Sequence, residues 1–171
     1  GSATGDGLVA ITNGTGTINI NNLVAETVNL SLTDSQGTTL NVASTQDVIF
    51  APGAATKFVI LDPTDGTAGT QIAVTVQAQD ANNNLVPTYQ TDVTLNADGS
   101  ATGDGLVAIT NGTGTLNIND LVAETVNLSL TDSQGTTLNV ASTQDVIFAP
   151  GAATKFVILD PTDGTAGTQI A

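Results

Sequence analysis

The residues of this chain best suited to chemistry are acidic and amide side chains in short turns between apolar runs. One group, Asp80-x-Asn82-x-Asn84, places side-chain oxygens at alternate positions, as at the start of an EF-hand loop. Such a loop needs glycine at its sixth position and glutamate at its twelfth, but Leu85 and Thr91 stand there. The group is therefore not an EF-hand, and the alternative interpretation is an Asx-rich hairpin turn held by local hydrogen bonds.

Two further groups of carboxylates lie next to predicted strands. Asp62 and Asp65 follow the first apolar run, and Asp98 and Asp104 enclose a turn that contains glycine and serine. Hard cations prefer oxygen ligands, and extracellular modules bind Ca²⁺ with dissociation constants of about 10⁻⁴ to 10⁻³ M. Calcium is therefore the candidate cofactor. Its candidate ligands are Asp62, Asp65, Asp80, Asn82, Asn84, Asp98 and Asp104. The alternative is that these side chains are solvated and only maintain solubility.

The composition excludes most familiar catalytic mechanisms. The 171 residues include no histidine, cysteine, methionine or tryptophan, and the only basic residues are Lys57 and Lys155. The usual general base, a thiol nucleophile and a bidentate arginine clamp for phosphate are therefore all missing. We predict that the chain is not an enzyme.

The charge also excludes two classes of partner. Two lysines stand against 16 acidic residues, which gives a formal net charge of −14. Nucleic acids and anionic lipids bind through basic side chains, so neither is expected as a partner. No apolar run approaches the roughly 20 residues of a membrane span, and no basic region followed by an apolar core opens the sequence. We therefore expect no membrane insertion, with any export signal outside this segment.

The sequence repeats itself with a period of 98 residues. Residues 1–73 recur as residues 99–171 with two differences: Ile18 becomes Leu116, and Asn22 becomes Asp120. Near-identical neighbouring copies argue against a unique active site. They favour a property that increases with the number of copies, such as length, stiffness or multivalency.

A junction between copies is predicted where proline and glycine interrupt two apolar runs. This occurs at Pro52-Gly53 and again at Pro150-Gly151. On this basis the chain divides into three parts. Residues 1–53 are predicted as the C-terminal half of one domain, residues 54–151 as a complete domain, and residues 152–171 as the N-terminal strands of the next.

Apolar and polar residues alternate through residues 54–151, which is typical of strands with one buried face. The alternating runs cover Ile72 to Ala78, Tyr89 to Leu95, Leu106 to Ile109, Leu116 to Ile118, Val126 to Leu130 and Leu138 to Val140, with Phe58, Ile60, Val146 and Phe148 at the two ends. About seven strands at this spacing predict an all-β antiparallel sandwich. Only Val122 to Thr125 has a faint helical pattern, and we interpret it as a loop or strand entry.

Three segments resemble the bacterial immunoglobulin-like repeats of very large surface adhesins. They are Ala55 to Ile60, Ala68 to Val86 and Tyr89 to Leu95. Asn83 stands where that family usually has a glycine, and asparagine tolerates positive φ better than most residues. The resemblance covers the whole 98-residue period. It implies an immunoglobulin-like antiparallel β-sandwich in an extracellular protein tethered to a bacterial cell surface.

The resulting functional prediction is a structural extender: a spacer repeat of a large adhesin that projects a distal binding region. Its partners would be neighbouring repeats of the same chain, with calcium as the candidate stiffener of junctions or loops. The alternative is a repeat of an extracellular filament or sheath that assembles into fibres by sandwich packing or strand exchange. A glycan-binding module would need an exposed aromatic platform, whereas Phe50, Phe58 and Tyr89 are predicted to lie in alternating strands and point into the core.

Overall fold

The chain is all-β. The computed structural model describes residues 1–167 and 169, and within these residues there is no helix, so none that could cross a membrane. The strands are β1 (Glu26–Ser31), β2 (Thr45–Phe50), β3 (Lys57–Ile60), β4 (Gly66–Thr67), β5 (Gln71–Gln79), β6 (Val93–Ala97), β7 (Gly105–Val107), β8 (Thr113–Asn119), β9 (Thr125–Thr131) and β10 (Gln144–Ala149).

Strands β3 to β10 form two sheets in a sandwich-like arrangement. One sheet has the order β4-β10-β9-β6-β7, and the other has the order β3-β5-β8. Strands β4 and β10 run parallel, with Phe148 opposite Gly66, while the other pairs in the two sheets are antiparallel. The prediction of an all-β sandwich is confirmed at this level.

The core lies between these two sheets. Strand β5 buries Ile72, Val74, Val76 and Ala78, as its alternating sequence predicts. The remaining core residues are Phe58, Ile60, Val93, Leu95, Val107, Ile109, Ile118, Val126, Leu128, Leu130, Val146 and Phe148. Full burial of one large apolar side chain contributes about 1.5–3 kcal/mol, so this cluster is the main source of stability.

Tyr89 lies outside the strand in which it was predicted. Strand β6 begins at Val93 because residues 86–89 form a turn, in which the Tyr89 N–H bonds the Val86 carbonyl at 3.0 Å. The half-buried Tyr89 ring packs edge-on against Phe58, with 5.5 Å between ring centroids. The side chain therefore contributes to the core from a turn.

Two other predicted segments have different outcomes. Val122 to Thr125 forms a loop that leads into β9 at Thr125, as expected. No strand covers Leu138 and Val140, although both side chains pack against the core. Between them, Asn139 exchanges backbone hydrogen bonds with residues 56 and 58, at 3.0 and 2.9 Å.

The first copy repeats one hairpin of the second. Strands β1 and β2 form a separate two-stranded sheet in which Val28 lies opposite Val48. This register equals that of Val126 opposite Val146 in β9 and β10. The local sequence is therefore sufficient to specify this hairpin in both copies.

The rest of the first copy does not repeat the second. Residues 15–21 correspond to β8 but form no strand, because no counterpart of β5 lies beside them. Ile11 is 65% exposed, whereas its counterpart Ile109 is 3% exposed.

The segment predicted to begin a third domain, residues 152–171, contains no strand in its described part. Phe156, Ile158 and Leu159 are exposed there. Residues 168, 170 and 171 lie outside the described residues.

Candidate functional site at the junction between copies

The two copies meet at the connection between β5 and β6. Asp80 directly follows β5 and is only 3% exposed, and its Oδ1 accepts the N–H groups of Asn82 and Asn84 at 2.9 Å each. These bonds form an Asx turn, which was the alternative interpretation of this group to a calcium site. Asn83 has a φ of 68°, a left-handed conformation that asparagine tolerates.

The Asp80 carboxylate also reaches the linker from the first copy. Its Oδ2 accepts the Gly53 N–H at 2.9 Å and the side-chain amide of Asn84 at 3.0 Å. The Asn84 amide is the main cause that lowers the pKa of Asp80 to about 2, and together with three backbone N–H donors it outweighs the opposing effect of burial. Asp80 is therefore ionised near neutral pH and ties the loop to the linker.

Asn84 joins the two copies directly. Its Oδ1 accepts the Ala25 N–H at 2.9 Å, and its Nδ2 donates to the Leu23 carbonyl at 2.9 Å. Both partners belong to the loop of the first copy that precedes β1. A donor and an acceptor on one rigid amide restrain the orientation of this loop more than either bond would alone.

A shallow apolar cleft lies beside these bonds. Its volume is about 350 Å³, and both copies contribute to its walls. It is lined by Ala25, Glu26, Thr27, Ile49, Phe50, Ala51 and Pro52 from the first copy and its linker, and by Leu85 and Pro87 from the sandwich. The junction therefore combines directional polar bonds with apolar surface.

The remaining predicted calcium ligands have separate roles or positions. Asp65 accepts a backbone N–H of β10 at 2.8 Å, and Asp98 accepts one of β9 at 2.7 Å. Asp62, Asp104 and the side chain of Asn82 are exposed. Within residues 1–167 and 169, no three acidic side chains are grouped so that they could hold a metal. Calcium binding stays a prediction.

A second polar cluster, which the sequence analysis did not select, lies at the loop between β8 and β9. The Ser100 hydroxyl lies 2.8 Å from both Asp120 Oδ1 and Glu124 Oε1. The Ser100 N–H donates to Glu124 at 2.7 Å. Asp120 is 1% exposed. The only signal in the sequence was that position 120 differs between the copies.

Neither a protein-family model nor a curated protein matches the sequence. Two of the solved structures that align with the chain are glycosidases. A beta-glycosidase from Bacteroides vulgatus aligns with 81% of the chain at 13% identity and a TM-score of 0.48. A glycosyl hydrolase family 2 member from Bacteroides cellulosilyticus aligns with 80% of it at 11% identity and a TM-score of 0.48. The chain spans 19% of the length of each glycosidase chain.

Proposed function

We propose that the chain is a non-enzymatic structural extender, made of immunoglobulin-like repeats of 98 residues in a large bacterial surface adhesin. The observation that supports this best is the pair of hydrogen bonds between the Asn84 side chain and the backbone of Leu23 and Ala25 in the preceding copy. An extender needs such contacts because flexible connections make the mean length grow only with the square root of their number. The extracellular location and the distal binding region belong to the same proposal.

The strand arrangement supports the immunoglobulin-like assignment. Strands β3, β5 and β8 can be equated with A, B and E of that fold, and β6, β9 and β10 with C, F and G. Each then lies in the sheet to which the fold assigns it. From β5 onwards the chain crosses between sheets after β5, after β7 and after β8, as this assignment requires. The short strand β4, which lies between β3 and β5 in the chain, joins the edge of the second sheet beside β10.

The acidic surface supports an extender as well. A net charge of −14 makes neighbouring molecules repel each other, which opposes lateral association of long parallel arrays. Calcium would reduce this repulsion wherever it bound. We therefore retain it as a proposed stiffening ion and not as a requirement for the Asn84 contact.

We expect Asn84→Ala to release the first copy from the sandwich. The Ala25 amide should exchange with solvent at least about tenfold faster, because its acceptor is removed. Hydrogen exchange measured by NMR tests this directly. Asn82→Ala is the matched control, since the Asn82 side chain is exposed in the same turn. Unchanged exchange at Ala25 would show that the junction contact is absent in solution.

The extender proposal also makes a prediction about length. Small-angle scattering of polypeptides with two, three and four complete periods should give a maximum dimension that rises linearly with the number of periods. With Asn84→Ala at every junction, the maximum dimension should increase less with each added period. If the unsubstituted series is already as compact as the substituted one, the chain is not a stiff extender.

A second candidate function, assembly by strand exchange, is favoured by the outer edge of β2. In the second copy, the equivalent edge of β10 pairs in parallel with β4. In the first copy β2 pairs only with β1 among the described residues. Residues 155–164 repeat the sequence of β3 and the start of β4, so this segment of a second molecule could pair with β2 in the same register, with Gly164 opposite Phe50.

Sedimentation velocity over a range of concentrations separates the two functions. The extender proposal predicts a single monomeric species. Assembly predicts species that grow with concentration and that disappear in Phe156→Asp, because a charged side chain cannot be buried without a partner. Phe156 is exposed in the isolated chain, so this variant retains the sandwich. Association that increases with concentration and is abolished by Phe156→Asp would favour assembly by strand exchange.

A further inference from the structure

The first copy shows how the loop before β1 satisfies its polar atoms. The Asn22 amide nitrogen donates to Glu26 Oε1 at 2.8 Å. Ser2 donates to the same oxygen from its N–H at 2.8 Å and from its hydroxyl at 2.7 Å. Asn22 Oδ1 accepts the Val24 N–H at 2.9 Å. The neutral asparagine thus supplies a hydrogen to the ionised glutamate.

The second copy has the same loop with Asp120 in place of Asn22. Its Oδ1 accepts the Val122 N–H at 2.8 Å, as Asn22 Oδ1 accepts the equivalent Val24 N–H. Its Oδ2 is buried and has no hydrogen-bond partner among the described residues. Ser100 contacts Asp120 Oδ1 and Glu124 Oε1 as Ser2 contacts Asn22 Oδ1 and Glu26 Oε1, so the two carboxyl groups lie against each other as the Asn22 and Glu26 side chains do. If both groups were ionised, no hydrogen would lie between them and two like charges would face each other.

Lys57, the one lysine of the sandwich, does not lie near enough to compensate. The ionisable groups on the segments that hydrogen-bond this loop are all carboxylates: Asp65, Asp98, Asp104 and Asp145. Lys57 lies at the other end of the sheet, because it pairs with Gln79 of β5, whereas Asn119 beside the loop pairs with Gln71. Within the described residues, the surroundings therefore increase the tendency of the pair to take up a proton.

We propose that Asp120 and Glu124 hold one proton between their carboxyl groups, in the place of the amide hydrogen of Asn22. The proton is taken from water, forms an O–H bond on one carboxyl group and is accepted by an oxygen of the other. The resulting O–H···O bond replaces an N–H···O bond of the first copy and satisfies Asp120 Oδ2. The two copies thus have the same loop with different responses to pH.

The pair has a preferred arrangement of this proton. Burial alone would raise the pKa of Asp120. Hydrogen bonds from the Val122 N–H, the Ser100 hydroxyl and the Glu124 carboxyl outweigh burial, and the pKa of Asp120 lies below its usual value. Asp120 is therefore the member of the pair whose ionised form the surrounding hydrogen bonds favour.

The shared proton has a consequence for the junctions between repeats, and this consequence rests on the proposed extender function. The loop of residues 22–25 is the one that bonds Asn84 of the next copy. Residues 120–123 are its counterpart, so they would receive the corresponding residue of a following repeat. Junctions with asparagine in this loop would lack the response of the shared proton, and junctions with aspartate would be stabilised by mild acid.

The direction of the pH effect follows from linkage. A shared proton raises the pH at which the folded pair loses its last proton above the value for separate carboxyl groups in the unfolded chain. Its contribution to stability is fully present below about pH 4 and is lost as the pH rises through the folded-state value of the pair. Asp120→Asn supplies a permanent donor and removes this dependence.

Thermal unfolding of the full chain tests the proposal. The fluorescence of Tyr89 reports on the sandwich, because it is the single tyrosine in a chain without tryptophan. We expect Asp120→Asn to raise Tm by about 4 °C or more at pH 8, with a difference that closes towards pH 4. Asp62→Asn is the matched control, since it removes the same charge from an exposed position and should follow the wild-type protein.

A second variant covers the case in which Asp120→Asn does not fold. Glu124→Gln places the donor on the other partner and should produce the same loss of pH dependence. Parallel pH profiles for wild type and either variant would overturn the proposal. If millimolar Ca²⁺ at pH 8 removed the difference between wild type and Asp120→Asn, a cation and not a proton would lie between the carboxylates, which also overturns it. These results are independent of the hydrogen exchange of the Ala25 amide, which tests the junction between copies.

Discussion

Replacing Phe58 by alanine should lower the free energy of unfolding of the sandwich by about 3–5 kcal/mol, whereas Phe156→Ala should change it by less than about 0.5 kcal/mol. The two phenylalanines occupy the same position of the 98-residue period and have the same sequence neighbours. Phe58 is 1% exposed and packs against Tyr89, while Phe156 is fully exposed. The difference therefore measures burial alone, with chemistry and local sequence held constant.

Urea unfolding followed by far-ultraviolet circular dichroism is the appropriate measurement, because Phe58→Ala also alters the surroundings of Tyr89. A loss of about 3–5 kcal/mol is a large part of the 5–15 kcal/mol that stabilises a typical domain, so Phe58→Ala should be partly unfolded at 37 °C. A comparable loss for Phe156→Ala would show that residues 152–167 pack against a core in solution. The absence of a loss for Phe58→Ala would contradict the position of the core.

The buried face of β5 was predictable because alternation within one strand does not depend on its partner. Ile72, Val74 and Val76 must point to the same side of any sheet. Whether a strand forms at all depends on what lies beside it. Residues 15–21 and 113–119 differ only by Ile18 against Leu116, yet only the second segment is a strand, because only it has β5 as a neighbour.

The candidate site was predictable in its residues but not in its chemistry. The sequence analysis selected Asp80 and Asn84 for their side-chain oxygens, and both take part in the junction. Their partners Gly53 and Ala25 lie 27 and 59 residues away in sequence, and these N–H groups occupy oxygens that were assigned to calcium. Spacing within one loop carries no information about donors that another copy brings to it.

Asp120 shows the opposite case. No motif identifies it, since Asp-Leu-Val resembles any loop entry. Asp120 differs from Asn22 by a carboxylate in place of a neutral amide. The free-energy cost of that charge depends on the burial of the side chain, which the local sequence does not specify. Comparison of two copies in one molecule identifies the position because all but two of the 73 shared positions are held constant.

Asp80→Ala should be the most damaging single polar substitution, with Tm lowered by more than about 5 °C. Its carboxylate accepts N–H groups from Gly53, Asn82 and Asn84. Alanine would leave these three N–H donors without their acceptor at a buried position. The turn and the linker should loosen together. Hydrogen exchange at Gly53 should therefore accelerate in step with the loss of thermal stability.

The same carboxylate should account for part of the acid sensitivity of the protein. Hydrogen bonds lower the pKa of Asp80 to about 2, whereas an aspartate in the unfolded chain titrates near pH 3.9. Because the folded value is the lower one, the stabilising effect is fully present above about pH 4 and is lost as the pH falls through 2. The Tm difference between wild type and Asp80→Ala should therefore be constant from pH 7 to 5 and should narrow from pH 4 to 2. Asp62→Ala removes an exposed carboxylate with no such donors and should show no difference at any pH. If the Asp80→Ala difference persisted unchanged at pH 2, packing of the side chain, and not its charge, would be what holds the turn and the linker together.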